Sequence, residues 1–133
     1  QMHYFFPKMI KNFFSKSFTI SNNSNRMGIR LNGNICKPTI SSNITSEPII
    51  KGSIQVPGDG NPIILINDHP TIGGYPKIAI VALADLSKIA QSPTGSSVNF
   101  KKISLKEAEI LYKKKITKIN SLIDSIVVKK FKI

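Results

Sequence analysis

Cysteine, histidine, arginine and acidic side chains are all scarce in this chain of 133 residues, and each shortage narrows its chemistry. A single cysteine, Cys36, excludes an intrachain disulfide and favours a reducing compartment. The two histidines, His3 and His69, have no partners at metal-ligand spacing, so no metal site is expected. Cys36 has no histidine placed to activate it, which argues against a catalytic thiol. Neither a Walker pattern nor a GxGxxG stretch is present to cradle phosphates. No apolar run approaches the roughly 20 residues that a bilayer span needs. The opening "QMHYFFPKMIKNFF" lacks a basic leader and a small-residue cleavage site. A soluble cytoplasmic domain is the expectation, with no membrane partner.

What is abundant is lysine. The net charge is +12, and seventeen of the nineteen basic residues are lysines, Arg26 and Arg30 being the exceptions. From Lys101 onward ten lysines face three acids. Such a surplus favours polyanions by long-range attraction. Yet lysine is enriched together with isoleucine and asparagine, as AT-rich coding alone produces, and clustered arginines with interleaved aromatics are missing. Nucleic acid is therefore a disfavoured partner.

The apolar fraction of 41% and the length suit one core. Phe6, Ile10 and Phe13/Phe14 have helical spacing, and Pro7 suits a first helical turn. Met27 to Leu31 reads as a strand ending at Gly33, and residues 34–48 as a polar surface connection. "GSIQVP", "PIILIN", "KIAIVALAD" and "SVNF" read as short strands, although the alanines of the third leave a helix open. "GDGN" and "SPTG" supply turns between them, and "LSKIAQ" one or two helical turns. Strands at this spacing predict a barrel or sandwich. Ser104 and Glu107 form a capping-box pattern before an apolar stripe from Leu105 to Ile126, with lysines opposite. The first half of that helix is expected to pack, and "VVKKFKI" reads as either a strand or a frayed end.

One stretch concentrates polar tips among glycines and prolines, "NDHPTIGGYPK". Gly73 and Gly74 permit close backbone approach. Asp68 can accept a proton or a hydrogen bond, Tyr75 can stack or donate, and Lys77 can hold an anion. A glycine-bulged hairpin with incidental polar residues explains the same letters. Arg26 and Arg30, four apart, would share one face of a strand and could hold a carboxylate or phosphate, or simply make surface ion pairs.

Taken together, "SNNSNRMGIRLNG", "SEPIIKGSIQVPGDGNPIILINDHPTIGGYPKIAIVALADLSKIAQ" and "SLKEAE" resemble the C-terminal half of the biotin-dependent carboxyltransferase family. That family is also described as allophanate hydrolase subunit 2, as the 5-oxoprolinase subunit designated C, or as the antagonist of the sporulation kinase inhibitor. The resemblance implies a mainly β, cyclophilin-like β-barrel with a C-terminal α-helix. Residues 1–112 would be the C-terminal half of the domain, and residues 113–133 a basic helical extension. It implies work on a small amide or lactam, of urea or pyroglutamate type, beside a companion subunit and an N-terminal half. ATP, and in one branch biotin, would enter at the level of the complex, with none assigned to this chain. Carried over by motif, the catalytic candidates are Asp68 and Lys77. The substrate-binding candidates are Arg26, Arg30, Gln55, Gly73, Gly74 and Tyr75.

The chain also departs from the family pattern. Asn25 stands in place of aspartate, Ile29 in place of tyrosine, and His69, Pro70 and Ile72 in place of Arg, Gln and Thr. A split or degenerate remnant, or a non-catalytic regulatory module, therefore stays open beside the enzyme reading, with a basic nucleic-acid-binding domain behind both.

Overall fold

The computed structural model describes residues 1–33, 36–39 and 43–130. After a 3-10 turn at Met2–Tyr4, helix α1 spans Pro7–Ser15 with its proline in the first turn, where a missing N–H costs nothing. Its inward side presents Phe13, fully buried, to β1 (Phe18–Ile20). Strand β2 (Gly28–Asn32) buries Gly28, Ile29 and Leu31 and turns Arg30 and Asn32 outward, the alternation of a strand with one wet face. Strands β3 (Glu47–Pro48), β4 (Ser53–Gln55), β5 (Ile63–Leu65), β6 (Ile72–Gly73) and β7 (Lys77–Ile80) follow. Helix α2 (Leu83–Ala90), β8 (Ser97–Val98) and α3 (Leu105–Lys130) complete the order.

Six strands form one antiparallel sheet in the order β7-β4-β5-β2-β1-β8, and β3 pairs with β6 in a separate two-stranded ribbon. The chain is thus mainly β with a C-terminal helix. Among the described residues no pairing joins β7 to β8, so the sheet does not close into a barrel within them. The core lies on the sheet's inner face, where Phe18, Ile20, Leu31, Ile54, Ile64 and Ile78 meet Phe13 of α1 and Leu86 of α2. Phe13 stacks on Phe100 with ring centroids 4.6 Å apart and also meets Phe14 and Phe18.

Several expectations are refined. "KIAIVALAD" is strand first and helix second, because α2 begins at Leu83 and gives the alanines a helical setting. The connection over residues 34–48 contains Cys36, which is fully buried, so it is not all surface; residues 34, 35 and 40–42 lie outside the described ones. Burial pushes the Cys36 thiol up to about 11, which suits an inert core residue. In "GDGN", Gly60 takes φ 82°, the left-handed turn that glycine allows, and Asp59 Oδ1 accepts from Asn61 N at 3.0 Å. "VVKK" continues α3, while residues 131–133 lie outside the described ones.

The capping box is made. Ser104 N and Oγ donate to Glu107 Oε2 at 2.7 and 2.8 Å, and Glu107 N donates back to Ser104 Oγ at 3.2 Å. These bonds hold the Glu107 carboxyl below the usual carboxylate range. Their contribution is therefore present above that range and fades as acid titrates the group. The first half of α3 meets α2, where Lys115 Nζ donates to Ala84 O at 2.8 Å and to Ser87 Oγ at 2.6 Å. Its apolar stripe stays open to solvent: Leu105, Leu111, Tyr112, Ile116, Ile119, Leu122, Ile123 and Ile126 are all exposed. Among the described residues no helix is long and apolar enough to cross a membrane.

Candidate functional site

The loop between β5 and β7 is not a hairpin. Strand β4 lies between those two strands, so residues 66–76 cross over it and pair through β6 with β3 on the way. This crossing brings four side-chain positions into a ring. Gln55 and Lys77 are register partners across β4 and β7, at a bulge. A Cβ on Gly73 would come within 2.6 Å of Gln55 Nε2. Gly73 is in turn the register partner of Glu47 across the β3–β6 ribbon. Glu47 closes the ring through an ion pair from its Oε1 to Lys77 Nζ.

Gln55 is only 5% exposed, and its Nε2 has no hydrogen-bond partner among the described residues, where it stands as a buried donor beside Gly73. The Lys77 side chain is 16% exposed and Glu47's is half-buried. The ammonium hydrogen bond from Lys77 holds the Glu47 carboxyl below its ordinary range. Gln1 ties the pair down: its Oε1 accepts from Lys77 N at 2.9 Å, and its Nε2 donates to Glu47 Oε1 at 2.5 Å.

The two glycines owe their place to packing, since neither has positive φ. At Gly73 the neighbours are Gln55 and Ile49 Cδ1 (3.0 Å), and at Gly74 they are Ile44 O (3.1 Å) and Ser46 Oγ (3.4 Å). The close approach is therefore made by the protein's own groups. Gly73→Ala is expected to lower stability by about 1–3 kcal/mol through overpacking. Adding Gln55→Ala should return part of that loss in urea denaturation. Equal stability of Gly73→Ala and wild type would contradict this packing.

The other sequence candidates lie apart from this ring. Arg26 sits in the turn before β2, so it shares no strand face with Arg30. Its Nε lies 2.8 Å from Asp68 Oδ2 in a solvent-exposed pair, and Asp68 N donates to Arg26 O at 3.0 Å. Arg30 points outward from β2, its N donating to Ser24 Oγ at 3.0 Å. Tyr75 is exposed beside buried Pro76. Among the described residues no group of three or more metal-ligating side chains gathers. Sequence reasoning missed Glu47, one of only seven acids, because its neighbours read as a polar connection.

The sequence profile of the carboxyltransferase domain, subdomain A and B, matches residues 1–102. This chain belongs to that carboxyltransferase family. It is 44% identical over 96 residues to the 5-oxoprolinase subunit designated C of Escherichia coli, covering 72% of this chain and 31% of that protein. It is 33% identical over 128 residues to the urea amidolyase of Saccharomyces cerevisiae, covering 90% of this chain and 7% of that protein. The Kluyveromyces lactis urea carboxylase structure superposes with a TM-score of 0.84 at 30% identity, over 91% of this chain and 11% of that one. The chain therefore spans about a third of the bacterial relative and roughly a tenth or less of the yeast ones. A match over 91% of this chain is more than the residues before α3 supply, so the likeness to the yeast enzyme includes part of α3. The ring of Glu47, Gln55, Gly73 and Lys77 falls wholly within the carboxyltransferase match.

Proposed function

We propose that this chain is the C-terminal part of a carboxyltransferase or 5-oxoprolinase-type subunit acting on a small amide or lactam. It would work with a companion subunit and with the N-terminal part of the same domain, in the cytoplasm. Residues 1–112 form the domain portion and residues 113–133 its basic extension. The observation that carries this reading is the buried Nε2 of Gln55, unpartnered among the described residues, on the strand position registered with Lys77. An amide or lactam carbonyl gains negative charge on oxygen as it reacts, and two N–H donors converging on it stabilise that charge. Gly73, Gly74 and Tyr75 shape the approach, and Asp68, ion-paired with Arg26 apart from the ring, is a hydrogen-bond acceptor for another part of the substrate or for a partner. Arg30 offers an exposed cation on β2 for an anionic group of substrate or partner.

ATP and biotin belong to this reading at the level of the complex. No ATP site is assigned to this chain: among the described residues the glycines with positive φ, Gly33, Gly52, Gly60 and Gly95, stand singly and none opens a helix. If biotin binds here, the donors of Gln55 and Lys77 would be the groups to hold its ureido oxygen, and biotin would supply the carboxyl group for transfer. A second reading, a non-catalytic interaction module, is favoured by the exposed apolar stripe of α3. The deciding experiment combines this chain with the companion subunit and the N-terminal part of the domain. It then assays ATP-dependent pyroglutamate opening and, in parallel, carboxylation of urea. Turnover of either substrate supports the enzyme reading. A stable complex with neither activity overturns it in favour of the interaction module.

A further inference from the structure

We propose that Glu47 is the positioning residue of this site, holding the Lys77 ammonium in place through their ion pair at the strand position registered with Gln55. The inference rests on the reading of Lys77 as a functional group. Its own support is geometric. Glu47 sits on β3 opposite Gly73, so the β3–β6 ribbon fixes its distance from the Gln55 side chain. Its Oε1 receives both Lys77 Nζ and Gln1 Nε2, while Gln1 Oε1 takes the Lys77 backbone N–H. Lys77 is thus gripped at both ends, by its backbone and by its ammonium. A lysine on a four-carbon stem is otherwise a mobile point charge, and its aim at a substrate oxygen depends on such a partner. Gln55 Nε2 takes no part in this grip and has no hydrogen-bond partner among the described residues.

The test compares wild type, Glu47→Gln and Glu47→Asp by lysine acylation footprinting with mass spectrometry, using acetic anhydride on the full chain. Lys77 acylation is expected to rise roughly three- to tenfold in Glu47→Gln, the range of one hydrogen bond between partly exposed groups. Glu47→Asp, which keeps the charge on a shorter stem, should fall between. Lys88, an exposed lysine paired with Asp85 on α2, should react alike in all three proteins. In the assembled enzyme, Glu47→Gln should lower kcat and kcat/KM together with little change in KM, as expected when a transition-state contact is loosened. Unchanged acylation of Lys77 in Glu47→Gln overturns the inference whether or not the complex is active. Faster acylation with unchanged turnover supports the grip on Lys77 and sinks the functional reading of Lys77 instead.

Discussion

Phe13→Ala is expected to remove about 3–5 kcal/mol of stability, the cost of emptying a large aromatic site in a packed core. Phe13 is fully buried where α1 meets β1 and the segment after β8: it stacks on Phe100 at 4.6 Å, meets Phe18 of β1 at 5.4 Å and its neighbour Phe14 at 5.1 Å. Aromatic pairs in these geometries add about 0.5–1.5 kcal/mol beyond burial, so the loss includes several ring contacts as well as a cavity. Against the roughly 5–15 kcal/mol typical of a domain, such a change leaves little reserve. Urea denaturation of wild type, Phe13→Ala and Phe6→Ala measures it. Phe6, at the start of α1 and exposed, should shift stability by no more than about 0.5 kcal/mol. Equal effects at the two positions would mean that α1 does not seal the core.

How far this architecture was legible in the sequence depends on the range of the interactions involved. The Pro7 start of α1, the Ser104–Glu107 cap and the Gly60 turn were readable because a few neighbouring residues determine each of them. The periodicity of α3 was readable too, but periodicity says which face is apolar and not what covers it, and here the stripe is exposed. The crossing of residues 66–76 over β4 was not readable. The same glycines and prolines serve a hairpin equally well, and only the non-local pairing of β6 with β3 decides between them. The burial of Cys36 was hidden for a similar reason, since it depends on Gly60 O accepting from Cys36 N across 24 positions of chain.

At the site, Gln55, Gly73 and Lys77 were named from the family resemblance, and the fold brings them together. The altered letters His69, Pro70 and Ile72 fall on the outer crossing, where Ile72 is exposed and His69 Nδ1 lies 2.6 Å from Pro70 O. None of the three belongs to the Glu47–Gln55–Gly73–Lys77 ring. Glu47 escaped notice because an ion pair between positions 47 and 77 has no local signature. Asp68 and Lys77, grouped in one segment of sequence, separate in space into an exposed pair with Arg26 and a half-buried pair with Glu47.

The second large effect concerns that half-buried pair. Methionine is close to lysine in length and fits the same slot, so Lys77→Met removes the charge while keeping most of the packing. The Glu47 carboxylate left behind still reaches water, so the fold should survive. On the proposed reading, what is lost is one of two donors for the substrate oxygen, and such donors are worth about 10²–10³ in rate. The most direct measurement is therefore kcat/KM of the assembled enzyme carrying Lys77→Met, set against Lys88→Met as a charge-matched control on α2. A fall of about 10²–10³-fold at Lys77 with an unchanged control is the expected result. Turnover by Lys77→Met within about threefold of wild type, far short of the effect of losing such a donor, would contradict the assignment of this ring as the working site.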